Sequence, residues 1–341
     1  MNSTARSIIV GLSLLLIATA TWAQPATRSA EAVRVIFDSD MDGDCDDVAA
    51  LALLHALADR GEAQILATIA SGRSAGTPAC LSAINAYYGR GDLPIGRSAP
   101  GGVDRPSSYT KAVAQRCPHP LRDPGEAEDA VALYRRVLAA QPDQSVVIAS
   151  VGFHTNLAAL LKSPTGTELV RQKVRLWACM GGNFIGEPAK DDLKLGNVNF
   201  QRDAAASLCA ITHFPSRIVF VGREVASMPS GLKIGAHFER LPQDHPVRIA
   251  YEAYFKGVCK DRHIADPATV FFAVRGADAY WDVHARGRMD LQPDMQFQWI
   301  NDPTGNQTYL LKRKVDGRPN DRLIETTIED LILAPPQLRQ R

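Results

Sequence analysis

The chain of 341 residues carries 38 Lys and Arg against 37 Asp and Glu, a formal net charge of +1. That balance gives no reason to expect nucleic acid or an anionic surface as partner. The length suits one large domain or two small ones, and no internal repeat, low-complexity block or long linker breaks it up.

The first element read along the chain is an export signal. Arg6 precedes the apolar run IIVGLSLLLIATA, and small residues stand at Thr21 and Ala23. Residues 1–23 are expected to be cleaved before Gln24, and residues 24–32 form a polar leader. The competing reading is an uncleaved anchor, but the run is shorter than the roughly 20 residues that cross a bilayer. A periplasmic or secreted protein with no stable membrane anchor is therefore expected. In such a compartment disulfides are permitted. The six cysteines (Cys45, Cys80, Cys117, Cys179, Cys209, Cys259) fit no CxxC-type metal spacing. Pairing does not follow from spacing. The expectation is one bridge between Cys80 and Cys117, in segments that read as peripheral, with Cys179 and Cys209 as buried thiols in apolar elements.

From residue 33 onwards strands and helices alternate. VRVIF reads as a strand, and DDVAALALLHALADRG as a helix apolar nearly all round, buried on a sheet and ended by Gly61. AQILATIAS is a second strand; SVVIASVG leads into the helix TNLAALLKS; KVRLWACMGG and RIVFVG are further strands. This pattern predicts an α/β fold: a single domain over residues 33–335 with a mostly parallel central sheet flanked by helices. The polar segments DSDMDGDCDD, VGFHTN and GGNFIGE each follow a strand directly. They are expected to converge, because open parallel sheets bind ligands beyond the carboxyl ends of their strands.

The first of those segments holds Asp38, Asp40, Asp42, Asp44, Asp46 and Asp47. So many carboxylates cannot share a space as ions without a cation or extensive hydrogen bonding. An EF-hand is excluded: its twelfth loop position needs a bidentate Glu, Ala49 stands there, and a strand rather than a helix precedes the loop. A haloacid dehalogenase-type phosphatase fits the spacing of Asp38 and Asp40 and stays as the runner-up enzyme, although it leaves Asp46 and Asp47 without a role. The whole decapeptide resembles the amino-terminal signature of the nucleoside hydrolases. ASVGFHTNLA, MGGN with NVNFQRDAAA, ADPATVFFAV and NAYYGRGDLPIG are similar to further segments of that family, in the family's order.

The resemblance implies a calcium-dependent hydrolase that cleaves the N-glycosidic bond of nucleosides into base and ribose. It assigns Asp40, Asp47, the Val151 carbonyl and Asp266 to the Ca2+ ion, and Asp40 also to the role of general base. Asp46 and Asn199 would hold sugar hydroxyls, Asn197 stands beside them, and His154 would face the pocket. Asp38 would support the loop from behind. A small nucleoside is the implied partner, with a homodimer or homotetramer as the assembly. Blander roles compete: Asp46 and Asp47 as helix N-terminal acids, Asn156 and Asp203 at helix starts, and His55 as a core histidine.

Three positions depart from the family pattern. Asn197 replaces a Glu that grips the sugar, and Ala265 replaces a His that protonates the leaving base, with His263 two residues earlier. Arg73 replaces an Asn after the second strand. The metal half of the site therefore reads as intact and the sugar and base half as altered. A calcium-dependent nucleoside- or sugar-binding protein without turnover is the alternative from another class.

Overall fold

In the computed structural model, described over residues 31–41, 43–98, 100–184, 198–226 and 231–337, the first strand already divides the interior. Val35 and Phe37 of β1 (Val33–Ser39) enter one core and Ile36 the other. Successive strand side chains point to opposite faces, so an unbroken apolar run serves two layers at once. The first core is covered by α1 (Asp46–Asp59), α2 (Gly76–Tyr87) and α3 (Thr110–Arg116). The second is covered by α4 (Ala130–Ala139), α5 (Thr155–Leu161), α6 (Pro164–Lys173), α7 (Val198–Arg202) and α8 (Ala204–His213). The chain then returns to the first face with α9 (Arg223–Ala226), α10 (Pro246–Tyr254), α11 (Ala265–Arg275) and α12 (Asp321–Leu333).

β2 (Ala63–Ala70), β3 (Ile95–Arg97) and β4 (Glu128–Asp129) extend the sheet outward from one edge of β1. β5 (Val146–Ser150), β6 (Val174–Met180) and β7 (Ile218–Val221) extend it from the other, and every one of these pairings is parallel. Two short ladders lie outside the main sheet: β8 (Lys233–Ile234) with β9 (Arg262–His263), and β14 (Lys314–Val315) with β15 (Arg318–Pro319). Beyond β7 the far edge changes character. β13 (Gln307–Lys312) joins β7 in parallel, while β10 (Trp281–Val283), β11 (Gly287–Leu291) and β12 (Phe297–Asn301) run antiparallel. The α/β class is as read from the sequence; this antiparallel edge was not foreseen.

The strand order reverses between β1 and β5, where Asp38 lies opposite Ser150. Connections leave that point in opposite directions, so a crevice opens beyond the carboxyl ends of these two strands. Helix α1 lies over it with Asp46 through Leu57 buried, packed on β2 and against α11 and α12. That accounts for its apolar character all round. Gly61 follows with φ +75°, where the chain turns into β2.

Two cysteine expectations are corrected. Cys80 and Cys117 are buried rather than peripheral, and each stands as a separate thiol. Cys117 Sγ donates to the Asp244 carbonyl at 3.4 Å. Cys179 is buried as expected, and Cys209 is half-buried. His55 is a core histidine, bonded to Asn85 Oδ1 at 3.0 Å and stacked on Tyr88. Among the described residues no helix is long and apolar enough to cross a membrane. The expected signal and most of the leader, residues 1–30, lie outside the described residues.

Candidate active site at the strand switch point

The acidic segment is shaped by its own side chains. Met41 takes a left-handed conformation (φ +47°) and Gly43 follows at φ +25°, which folds the segment back over the end of β1. The Met41 N–H donates to Ser39 Oγ at 3.1 Å and to Asp47 Oδ1 at 3.3 Å. Ser39 Oγ donates to the same Asp47 oxygen at 2.6 Å, and the Tyr109 hydroxyl donates to Asp47 Oδ2 at 3.3 Å. Asp47 is thereby fixed in the first turn of α1, where the helix dipole also favours an acid.

Residues far apart in sequence close the site. Asp44, Asp47 and Asp266 each bring a carboxylate oxygen within 4.8 Å of the others. Asp266 stands in the first turn of α11, and its backbone N–H donates to Asp46 Oδ2 at 3.4 Å. Burial raises Asp46, Asp47 and Asp266 well above the ordinary carboxylate range, and neighbouring negative charges add to it: chiefly Asp44 on Asp46, Asp40 on Asp47, and Asp46 on Asp266. Asp44 behaves oppositely. Burial pushes it up, but hydrogen bonding with Asp46 and an ion pair with Arg262 outweigh that and hold it low. An all-oxygen, carboxylate-rich set whose like charges are compressed by burial fits a hard divalent cation.

Around this group sit the residues that hold the strand ends. Asp38 is buried, and burial pushes it up to about 7. Its Oδ2 accepts from the Tyr134 hydroxyl at 2.8 Å and from Asn156 Nδ2 at 3.1 Å, while Asn156 also donates to the Ala70 carbonyl at 3.0 Å. Asp38 therefore ties together β1, β2, α4 and α5, in keeping with a supporting role. Asp40 follows it, with its backbone pressed between two turns: added Cβ atoms on Gly72 and Gly152 would meet it at 2.9 Å and 2.4 Å. Asn199 Nδ2 donates to the Val151 carbonyl at 2.9 Å, which joins α7 to the end of β5.

The structure thus brings together Asp40, Asp46, Asp47, Val151, Asn199 and Asp266 at one end of the sheet. It also changes the picture at three places. Asp44, not singled out from the sequence as a ligand, joins Asp47 and Asp266 in the tight group; its presence in the acidic decapeptide was the available signal. The Val151 carbonyl already has a partner in Asn199. His154 is packed into the interior. It is fully buried, with Nδ1 at 3.1 Å from Ser207 Oγ, Nε2 at 3.5 Å from Cys179 Sγ, and its ring against Trp177 and Phe200. Burial holds it down to about 3. Asp203 caps α8 through the Ala206 N–H at 3.2 Å. Asn197 lies outside the described residues.

The family model "Inosine-uridine preferring nucleoside hydrolase" matches residues 35–323. No curated protein sequence matches. Among solved structures, a plant nucleoside hydrolase (PpNRh1) superposes with a TM-score of 0.61 at 19% identity, covering 89% of this chain and 99% of its own. An inosine-uridine preferring nucleoside hydrolase from Bacillus anthracis gives 0.63 at 16% identity, covering 88% and 99%. A purine-preferring ribonucleoside hydrolase from Gardnerella vaginalis gives 0.61 at 16%, covering 88% and 98%. These likenesses establish the shared fold.

Proposed function

The chain belongs to the inosine-uridine preferring nucleoside hydrolase family, and from that premise we propose that it cleaves the N-glycosidic bond of ribonucleosides with the help of calcium. The observation that carries the reading is the convergence of Asp44, Asp47 and Asp266 beside Asp40 at the switch point. Asp47 and Asp266 would hold the ion, with Asp44 or Asp40 completing the carboxylate set. When bound, calcium would order a sugar diol and make water a readier proton donor.

The chain's own residues supply the rest. Asp40 accepts the proton of the attacking water as general base, at the point where its backbone is wedged between Gly72 and Gly152. Asp46, held by the Asp266 N–H, orients sugar hydroxyls. Asn199 fixes the end of β5 through the Val151 carbonyl and would hold a sugar hydroxyl. Bond breaking leaves an oxocarbenium-like sugar, which the surrounding carboxylates favour electrostatically. Ala265, beside Asp266, has no proton to give the leaving base, so nucleosides whose base departs without strong acid assistance are the favoured substrates.

The deciding assay incubates the protein with a panel of purine, pyrimidine and modified ribonucleosides plus calcium and measures free base. Release of base that stops on chelation supports the reading. Calcium-dependent binding without release would replace it with a binding protein. The export reading belongs to the same proposal: the mature protein starts at or near Gln24, outside the cytoplasm, which amino-terminal sequencing of exported material tests.

A further inference from the structure

Next to the acidic group the surface changes sign. From Gly72, packed under Asp40, a cavity of about 240 Å³ opens, lined by Arg73, Ser74, Arg97 and Ser98 among others. A second cavity of about 450 Å³ shares Ser74, Ala75 and Pro124 with the first and adds Lys111 and Arg122. Among the described residues no Asp or Glu lines either one. The neighbouring acids in sequence are taken up locally: Asp123 Oδ1 accepts from the Gly125 N–H and Glu126 Oε2 from the Arg122 N–H.

Several other arginines of this chain pair with acids, as in Arg90–Asp59, Arg275–Glu62 and Arg262–Asp44, while Arg135 rests on Ser163 Oγ. Among the described residues neither Arg73 nor Arg97 has a carboxylate partner. Arg97 is anchored through Nε to the Ala127 carbonyl at 3.0 Å, which leaves its terminal nitrogens to other acceptors. Ser98 Oγ donates to the Ser71 carbonyl at 2.9 Å, so the two guanidinium groups, with Ser74 beside them, are what this concavity offers an anion. Guanidinium forks match the oxygens of a phosphoryl group in charge and geometry.

We propose that the cavity at Arg73 and Arg97 is an anion subsite adjoining the catalytic crevice, and that it takes a phosphoryl group borne by the nucleoside substrate. The second half of this statement rests on the hydrolase reading; the first does not. A ligand whose sugar meets the acidic group and whose phosphoryl group meets the arginines matches both signs of the surface at once. Free phosphate offers the same chemistry without the sugar, so the two sources must be separated by experiment.

The test has a binding arm and a kinetic arm, both on the calcium-loaded full chain freed of excess calcium. Inorganic phosphate is titrated by calorimetry into wild type, Arg73→Ala and Arg97→Ala; both side chains are exposed, and an unchanged Tm verifies the fold. Wild type is expected to bind in the ~1 mM range or tighter, and each variant about tenfold more weakly. Absence of binding by wild type, or binding that survives both substitutions, overturns the subsite. The kinetic arm compares kcat/KM for a nucleoside with its 2′-, 3′- and 5′-monophosphates. At least one monophosphate is expected to be cleaved about tenfold better, an advantage lost in Arg73→Ala. Arg73-dependent phosphate binding with no preferred monophosphate overturns the substrate-borne group and leaves free phosphate as the ligand. Arg73-dependent binding with no hydrolysis of any compound leaves the subsite standing and brings down the hydrolase reading instead.

Discussion

Gly152, at the turn from β5 into α5, has no room for a methyl group. A Cβ there would lie 2.3 Å from Ser71 Oγ, 2.4 Å from Asp40 N and 3.0 Å from Asp40 Cβ. The Ser71 hydroxyl is held in place by the Phe153 N–H at 3.1 Å, and a backbone nitrogen cannot rotate away. Restoring ordinary contact in Gly152→Ala therefore requires a displacement of about 1 Å between this turn and Asp40. Overpacking of this kind costs about 1–3 kcal/mol, and at roughly 2 °C per kcal/mol for a large domain Tm falls by about 2–6 °C. Activity should suffer more, since a misplacement of about 1 Å at a catalytic group costs on the order of 10²-fold in rate. Gly61→Ala is the control: φ is +75° but nothing lies within 4 Å of the added methyl. It should cost about 1–2 kcal/mol of backbone strain and leave kcat/KM unchanged. Calorimetric melting and steady-state kinetics on both variants decide the matter. Gly152→Ala with wild-type kcat/KM would refute the claim that this turn sets the position of Asp40.

Asp47→Ala should abolish tight calcium binding by calorimetry, and with it about 2.7 kcal/mol of stability at calcium a hundredfold above Kd. Asp40→Asn keeps a carbonyl oxygen but cannot accept the proton of water; kcat should fall by about 10²- to 10⁴-fold while KM changes little, as single-turnover and steady-state rates will show. His154 is pressed by burial from 6.5 to about 3. The unfolded chain therefore takes the proton first, and the stability due to neutral His154 is complete above 6.5 and lost as pH falls from 6.5 towards 3. Denaturant melts at pH 7.5 and 5.5 should lose about 1.4 kcal/mol less in His154→Gln than in wild type.

What could be read in the chain beforehand follows from how local each feature is. The β1–loop–α1 unit was legible because an apolar strand, a run of acids and an apolar helix lie side by side within residues 33–61. Asp47 and Asp266 could be named because acids in the first turns of two helices sit inside recognisable motifs. The place of Asp44 depends on the left-handed turn at Met41 and on Arg262, on the distant strand β9, and neither can be seen in the decapeptide. His154 shares a polar loop with Gly152 and Asn156, yet its burial comes from Trp177, Cys179, Phe200 and Ser207 on three other elements. Cys80 and Cys117 read as peripheral, but the packing of α2 and α3 against the first core buries them.

The meeting of α1 and α11 has a kinetic consequence. Asp46 and the Asp266 N–H that it accepts are separated by 220 residues of chain. Such long-range contacts are costly to close and tend to form after the local strand–helix units. During compaction the two acidic helix ends repel each other, so their approach belongs to the native side of the barrier. A cation seated between them would then leave the folding rate almost unchanged and act on unfolding alone, lengthening the life of the native state. In a chevron plot, calcium should lower the unfolding limb and leave the folding limb where it was.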